Sequence, residues 1–317
     1  MSHDLQTLAQ TWLADLALDR ATSTVERYKS VVRRFLHWIE QQEHHLATLD
    51  DLTPISLVGY VHMLKQHEQP STVNIHIAAL RTWGIWLIQQ RLAESNPAQR
   101  LKFIKNERAS SPRDLSPNEI NALLREVART GRYPIRNTAI MMVLLQTGIR
   151  IGECVALRWG DIVFGEKSGW LQIHAAKGGK TRSVPLNSSA RQALADYLAS
   201  ILSVAPTLKA VSQAWSSVGS DQALWESERG TMTLSAMERA LNAAITACAF
   251  RGHVPATITP HAFRHTFARR YLLRHPGDLV GLARLLGHSS LDTTAIYLQP
   301  TESEIEQRVE DIDINAY

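Results

Sequence analysis

Residues 259–298 read TPHAFRHTFARRYLLRHPGDLVGLARLLGHSSLDTTAIYL, and the rest of the chain is interpreted around this stretch. Thr259 is a preferred N-cap residue and Pro260 suits the first helical position. His261 and Arg264 would then lie in the first turn of one helix, three residues apart on one face. Because the backbone N–H groups at a helix start attract negative charge, this segment predicts an anion site.

The second half of the stretch adds a histidine and a tyrosine. Gly287 and His288 come first, and Ser289 and Ser290 then predict the cap of a short helix. That helix carries Tyr297, nine residues after His288. The side chains together suit a phosphate group with a phenol beside it.

Length, composition and charge favour two domains that bind nucleic acid. The chain has 317 residues, and its 44% hydrophobic content is enough for two cores. The net charge is only +4, but residues 302–313 hold six acidic residues against one arginine, so the remainder is more basic. Five cations crowd a short segment: Arg100, Lys102, Lys105, Arg108 and Arg113. This segment is either a DNA-binding surface or a solvated linker.

Several other classes of protein are disfavoured. The two cysteines, Cys154 and Cys248, argue against a disulfide framework, and no Cys/His array has zinc-site spacing. His261 and His265 lack the acidic partner of a zinc-binding HExxH helix, and Arg264 between them would repel a cation. We therefore expect no metal and no cofactor. With no apolar signal segment and no run of about 18 apolar residues, we expect a cytoplasmic protein without a membrane partner.

The N-terminal part is predicted to be a small bundle of helices. Residues 5–18 place leucines and a tryptophan at helical spacing. Helix-start signals then open three further helices, at Ser23 with Glu26 as a capping box, at Thr53 with Pro54, and at Ser71. Asn96 and Pro97 end this bundle.

The second part begins with a strong helix-start signal at Ser116, Pro117 and Glu119, which predicts a helix through Arg129. An apolar helix from Tyr133 to Thr147 follows, and Gly148 closes it. Three further assignments cover the next hundred residues: a helix from Asn187 to about Val204, an irregular segment over 205–232, and a helix from Thr233 to Phe250.

Between Gly160 and Pro185 the pattern switches to three short apolar runs separated by glycine-containing turns. This pattern predicts a three-stranded antiparallel sheet whose second turn carries Lys177 and Lys180. Ahead of the sheet, Arg150 lies beside an apolar helix. It either pairs with Glu153, which follows three residues later, or serves the anion site.

Six positions in one order resemble the tyrosine recombinase (phage-integrase) family, and the chain is similar in length to its Xer members. They are Arg150 in TGIRIGE, Lys177 in AAKGGKTRSVPL, His261 and Arg264 in HAFRH, His288 in LLGHSS and Tyr297 in TTAIY. The resemblance implies a mainly α fold with a small antiparallel β-sheet, in which the catalytic domain is α+β.

The resemblance also implies a domain organisation and an assembly. A SAM-like core-binding helical domain would cover 1–96, a basic inter-domain linker 97–113 and the catalytic domain 114–299. The two domains would clamp double-stranded DNA at recombination sites. A homo-tetramer would form on DNA from a free monomer or dimer, with or without a partner recombinase. The acidic tail, 300–317, carries an apolar stripe. Taken alone it is either a frayed terminus or a docking segment, and the resemblance implies that it docks on a neighbouring protomer.

The implied chemistry is the breaking and rejoining of DNA. Arginine forks match phosphate oxygens and stay charged, so Arg150 and Arg264 suit the charge that develops at phosphorus. Tyr297 would be the nucleophile that forms a 3′-phosphotyrosine, and the covalent link conserves bond energy without ATP. Lys177 would be the general acid. Either His261 or His288 would accept the phenol proton.

Other residues take supporting roles. Glu153 is expected to orient a neighbouring cationic or histidine side chain. Five residues are expected to contact the DNA backbone: Arg100, Lys102, Lys105, Lys180 and Arg182.

The leading hypothesis is a site-specific recombinase for integration and excision, transposition or replicon resolution, working at the nucleoid. A type IB topoisomerase uses the same chemistry, but the separate helical bundle and the docking tail favour a recombinase. A sequence-specific DNA-binding protein that has lost cleavage is the third hypothesis. The intact set of six motif residues argues against it.

Overall fold

A computed structural model describes residues 4–105, 114–174, 181–215, 221–288, 290–298, 305–306 and 309–310. The chain divides into two compact units, Met1–Ala109 and Ser110–Tyr317, and each has its own hydrophobic core. The predicted fold class, mainly α with a small antiparallel sheet, is confirmed. Across the described segments, no helix combines the length and apolar character needed to cross a bilayer.

The first unit is a helical bundle. Its helices are α1 (Leu5–Asp19), α2 (Thr22–Glu43), α3 (Pro54–His67) and α4 (Pro70–Gln89). Large aromatic side chains fill the space between them, with Trp12 stacked on Trp83 at 5.8 Å and Phe35 edge-on to Tyr60 at 5.1 Å. Their burial holds the four helices together.

The helix starts in this unit follow the sequence signals in part. Thr53 accepts a hydrogen bond from the Ser56 backbone at 3.1 Å, so the predicted cap of α3 is confirmed. The capping box predicted at Ser23 is wrong, because α2 already begins at Thr22 and its cap residue, Ala21, has no side-chain hydrogen bond. Ser23 thus lies inside the first turn.

The second unit surrounds a small sheet with helices. Before the sheet come α5 (Pro117–Arg129), α6 (Pro134–Thr147) and α7 (Ile151–Val155). The sheet contains β1 (Ile162–Phe164), β2 (Gly169–His174) and β3 (Thr181–Pro185). After it come α8 (Ser188–Leu202), α9 (Leu208–Trp215), β4 (Glu226–Ser227), β5 (Gly230–Thr231), α10 (Leu234–Phe250), α11 (His261–Arg274), α12 (Leu279–Leu286) and α13 (Asp292–Ala295).

The three-stranded sheet is antiparallel in the order β1-β2-β3, as predicted. Leu171 on the central strand pairs with Ile162 on one side and Val184 on the other. All three side chains are buried, because strand side chains at paired positions share one face. The predicted β2–β3 turn, with Lys177 and Lys180, lies outside the described residues.

The prediction of irregular structure over 205–232 is wrong. Helix α9 and the short β4–β5 pair occupy part of this segment. Trp215 at the end of α9 stacks on Trp159 at 4.8 Å and donates a hydrogen bond to the carbonyl of Ile162. These contacts join residues more than fifty positions apart, so local sequence does not show them.

Two helix boundaries decide where the motif residues lie. The Ser116–Glu119 capping box of α5 is confirmed, since each residue's side chain accepts a hydrogen bond from the other's backbone N–H. The predicted capping of α11 by Thr259 is wrong. Pro260 occupies the cap position, and the N–H of Ala262 bonds to the backbone carbonyl of Thr259 at 2.9 Å.

Candidate active site

Arg264, in the first turn of α11, is the most buried cation of the site, with 4% of its surface exposed. It donates to the carbonyl of Gly148 at 2.7 Å and to that of Leu286 at 2.8 Å. These carbonyls lie at the C-terminal ends of α6 and α12, where the helix dipoles are negative. Burial, together with nearby Arg150, lowers the pKa of Arg264 to about 10, so it stays charged at neutral pH.

The last two carbonyls of α12 are left for side-chain donors. Gly287 has a φ of +66° and closes the helix, and the N–H of His288 bonds back to Ala283 at 3.0 Å. The last two carbonyls, of Leu285 and Leu286, instead accept from arginine side chains. The helix C-terminus therefore works as an anchor for guanidinium groups.

Arg150 and Glu153 meet this anchor from the start of α7. Glu153 accepts from the backbone N–H of Arg150 at 2.8 Å and from its guanidinium at 3.1 Å. The Arg150 guanidinium also reaches the carbonyl of Leu286 at 3.4 Å, yet its side chain is 46% exposed. The protein thus fixes the position of the Arg150 guanidinium but leaves it accessible to a ligand.

Glu153 is shared between two arginines. Arg182 on β3 bonds both its carboxylate oxygens, at 2.9 and 2.7 Å. Burial by itself would raise the pKa of Glu153, but hydrogen bonds from Arg182 and from the Arg150 backbone bring that pKa below its usual value. Glu153 is therefore ionised at neutral pH.

His288 has both ring nitrogens occupied. Nε2 accepts from Arg264 at 2.8 Å, so the proton sits on Nδ1, which donates to the Thr294 hydroxyl at 2.8 Å. Burial, and then the positive charge of Arg264, lowers the pKa of His288 to about 4. The ring is neutral and fixed in one tautomer.

Tyr297 lies in the 3₁₀ turn Ile296–Leu298 that follows α13. The predicted cap of α13 at Ser290 is wrong, because Leu291 occupies the cap position without a side-chain hydrogen bond, although Ser290 accepts from the backbone of Asp292; Ser289 lies outside the described residues.

The Tyr297 ring stacks on His288 at 6.3 Å and tilts against His265 at 5.1 Å. Burial raises the pKa of Tyr297, although a hydrogen bond with Arg264 and the charges of Arg264 and Arg150 oppose the rise. The phenol is thus protonated at neutral pH, although the charges of both cations favour its ionised form.

Two further histidines lie on α11. His261 is exposed at the first position, and burial of its ring and the charge of Arg264 lower its pKa. His265 is buried between the rings of His261, at 4.8 Å, and Tyr297. Burial also lowers the pKa of His265 to about 4. Sequence reasoning assigned His265 no role; its position four residues after His261 was the available signal.

Part of this set borders a cleft of about 1000 Å³ in the second unit, whereas Tyr297, His265 and His288 are not among its lining residues. Its lining includes four of the arginine and histidine side chains above: Arg150, Arg182, His261 and Arg264. His174, Glu238 and Asn242 also line the cleft. They were not predicted, because nothing in their local pattern distinguishes them from surface residues.

Among the described residues, the predicted DNA contacts Arg100, Lys102 and Lys105 do not line this cleft. Lys177 and Lys180 lie outside the described residues. Arg100, Lys102 and Lys105 are exposed in the first unit. Arg182 was predicted to contact the DNA backbone, but its side chain is 14% exposed and its three nitrogens bond within the protein. This geometry argues against a phosphate contact by Arg182.

A metal ligand set is absent from the described part of the cleft. Within the described residues, one group of side chains could hold a cation, and it lies in the first unit: Glu43, His45 and Asp51.

Each of the two units matches the sequence model of a known protein family. Residues 113–304 match the Phage integrase family and residues 9–91 match the Phage integrase, N-terminal SAM-like domain. The tyrosine recombinase XerC of Pediococcus pentosaceus is 31% identical over 302 residues, covering 92% of this chain and 95% of the relative. The tyrosine recombinase XerD of Oceanobacillus iheyensis is 27% identical over 298 residues, covering 92% of each.

Among solved structures, a lambda integrase dimer bound to a COC′ core site aligns with a TM-score of 0.68 at 17% identity, over 94% of this chain and 78% of that one. The fold is therefore shared with lambda integrase. Taken with the matched family models and the identity to Xer recombinases, this shows that the chain belongs to the phage integrase family.

Proposed function

We propose that this chain is a site-specific recombinase that cleaves and rejoins double-stranded DNA through a 3′-phosphotyrosine on Tyr297. The observation that supports this most strongly is the placement of the Tyr297 ring against that of His288, whose Nε2 accepts a hydrogen bond from Arg264, within one chain. The reaction would serve integration and excision, transposition or replicon resolution. With DNA as its substrate, we propose a cytoplasmic, nucleoid-associated protein.

The arginines supply the electrostatic part of the reaction. Arg264 donates three of its five N–H groups to two carbonyls and His288 and also bonds Tyr297, which fixes its plane while leaving a donor for a ligand. Because carbonyls carry only partial charge, they hold the guanidinium without cancelling its charge. Together with the exposed guanidinium of Arg150, it stabilises the negative charge that develops on the phosphate oxygens.

Proton transfer accompanies each bond change. The Tyr297 oxygen attacks phosphorus as its proton passes to one of two candidate histidines, His261 or His288, whose lowered pKa values keep both rings neutral. The bond from phosphorus to the 5′ oxygen breaks, and Lys177 protonates that leaving oxygen. Attack by a 5′-hydroxyl on the phosphotyrosine reverses the same steps. His288, bonded at both nitrogens, holds Arg264 and the loop that leads to Tyr297.

The chemistry we propose needs neither metal nor ATP. Two fixed guanidinium groups occupy the place that divalent cations take in other phosphoryl-transfer sites. The phosphotyrosine keeps the energy of the broken phosphodiester, so rejoining requires no other source.

The assembly is part of the proposal. Residues 1–96 form the core-binding domain, 97–113 a basic linker and 114–299 the catalytic domain. The exposed cations Arg100, Lys102 and Lys105, together with Lys180, contact the DNA backbone. Protomers join as a tetramer on two sites, the tail 300–317 docks on a neighbour, and a partner recombinase could share the work.

A pool of nicked duplexes with a randomised central segment tests the function, because the protein itself then selects its site from the pool. Loss of the short strand beyond the nick traps the covalent intermediate. We expect wild-type protein to give an SDS-resistant adduct with an enriched sequence, and Tyr297→Phe to give none; EDTA should leave the yield unchanged. An adduct that persists in Tyr297→Phe contradicts the proposal. Adducts without sequence preference, with relaxation of any supercoiled plasmid, would indicate the topoisomerase alternative.

A further inference from the structure

Arg182 joins three elements that the reaction depends on. From the second position of β3 it forms a two-pronged ion pair with Glu153 on α7, at 2.9 and 2.7 Å. Its Nε donates to the carbonyl of Leu285 at the end of α12, at 2.9 Å. Both side chains of the ion pair are 14% exposed, so water competes little for these bonds.

Glu153 also contacts Arg150, and the two arginines compete for one carboxylate. The Arg150 guanidinium bonds only Oε1, at 3.1 Å, while Arg182 bonds both oxygens at shorter distances. A buried carboxylate that loses its main partner keeps its charge only by taking another cation. Without Arg182, that cation would be Arg150, which already bonds Oε1 and whose side chain is 46% exposed.

We propose that Arg182 is a positioning residue for DNA cleavage, which neutralises Glu153 and fixes the end of α12 so that the charge of Arg150 remains available to the scissile phosphate. The inference rests on the proposed function and adds to it a residue that does not itself touch DNA.

The backbone around Arg182 is shaped to its guanidinium. A Cβ added at Gly287 would lie 2.6 Å from Nη1 and 2.8 Å from Cζ of Arg182. The chain therefore passes over the guanidinium at a distance that only glycine allows. Arg182 lines the cleft, but the backbone covers its guanidinium on this side and all three of its nitrogens are bonded within the protein, which supports a structural role for it.

The test compares Arg182→Gln with the double variant Arg182→Gln/Glu153→Gln on the nicked duplex that wild-type protein selects. We expect Arg182→Gln to slow adduct formation at saturating DNA by about tenfold or more, as loss of a fixed transition-state charge does. Removing the carboxylate as well frees Arg150, so the double variant should react about threefold or more faster than Arg182→Gln. A double variant as slow as Arg182→Gln, or slower, overturns the proposal.

The salt dependence of DNA affinity separates positioning from direct contact. A lost phosphate contact reduces the slope of log K against log salt by about 0.9, whereas a positioning residue leaves the slope unchanged. We expect Arg182→Gln to keep the wild-type slope and a dissociation constant within about twofold of wild type. A reduced slope with an unchanged rate at saturation shows a DNA contact and overturns the proposal.

Controls keep the result interpretable. Arg158→Gln is the matched control, because Arg158 lies in the same unit, pairs with Asp221 and does not line the cleft; its adduct rate should match wild type. If thermal unfolding shows that Arg182→Gln is not folded, the same comparison is made between Arg182→Lys and Arg182→Lys/Glu153→Gln. Failure of wild-type protein to form any adduct contradicts the proposed function itself and is seen before any variant is compared.

Discussion

Arg264 shows how a buried cation can be kept ready for a substrate. Among the described residues it forms no ion pair with a carboxylate, and its partners include the carbonyls of Gly148 and Leu286 and the ring of neutral His288. Two helix C-termini supply partial negative charges from fixed directions. The cost of burying the charge is thereby offset while most of its field remains for a phosphate.

Lysine cannot replace this arrangement. In Arg264→Lys a single ammonium group cannot bond both carbonyls, His288 and a phosphate at once. We expect adduct formation to slow by about 100-fold or more with the fold retained, because one transition-state donor is lost. Rates at saturating nicked DNA measure this, and a variant within about threefold of wild type would contradict the role given to the guanidinium.

The histidines of the site make stability depend on pH. Burial lowers the pKa of His265 and of His288 to about 4, whereas the unfolded rings titrate near 6.5. Between these values the folded chain binds fewer protons than the unfolded chain, so stability increases with pH up to about 6.5 and is lost as pH falls toward 4. His265→Phe keeps a ring but removes one titration. The melting temperature of this variant should fall less steeply between pH 6.5 and 4.5 than that of wild type. An equal fall would contradict the lowered pKa of His265.

At the residue scale, sequence motifs predicted which side chains to examine but not how they contact one another. Arg150 and Glu153 are three positions apart, so their pairing was visible in the sequence. Arg182 is 29 positions from Glu153 and 103 from Leu285. No local pattern reports such contacts, and Arg182 was consequently predicted to lie on the DNA-facing surface.

The C-terminal end of α12 is the element on which the site depends. Its last two carbonyls hold the arginines, and Gly287 ends the helix in a left-handed conformation while passing over Arg182. Gly287→Ala should therefore be strained in two ways. The backbone conformation costs about 1–2 kcal/mol, and the methyl group displaces the guanidinium.

Gly277→Ala separates the two effects. Gly277 has a φ of +81° but nothing within 4 Å of an added Cβ, so this variant carries the backbone strain alone. We expect both variants to lower the melting temperature, while Gly287→Ala alone slows adduct formation, by about tenfold. Equal adduct rates in the two variants would show that the fit around Arg182 does not matter.

Helices with strong end signals were predictable at this scale, and those formed by long-range packing were not. Pro117–Arg129 has a capping box, a proline and a clear apolar face, and it was predicted with correct ends. Leu208–Trp215 is only two turns long, and stacking of Trp215 on Trp159 fixes its end. Short helices gain too little from their own hydrogen bonds to be identified without such a contact.

At the scale of the whole molecule, the chain combines a helical unit with a unit that carries the complete described site. Every described contact of Tyr297, Arg264 and Arg150 lies within the second unit. The two-part organisation was predictable from length and from the cluster of cations after Asn96. How protomers associate depends on surfaces that a single sequence does not identify.

The tail gives a prediction about assembly. Ile305 and Val309 are exposed, at 48% and 62%, among acidic residues that would suit a groove on a neighbour. A chain ending at Gln299 should bind a single site with unchanged affinity but lose cooperative pairing of two sites. Gel-shift titrations on one-site and two-site duplexes measure both, and unchanged cooperativity would count against docking by the tail.

The central claim is that the Tyr297 oxygen forms a bond to a DNA 3′ phosphate that Arg150 and Arg264 hold. Mass spectrometry of the trapped adduct, trimmed by nuclease and digested to peptides, tests it most directly. We predict that the peptide containing Tyr297 carries the added mass of a nucleotide linked through its 3′ phosphate. The other end of the broken strand should carry a free 5′-hydroxyl. A nucleotide on any other residue, or linkage through a 5′ phosphate, would contradict the account.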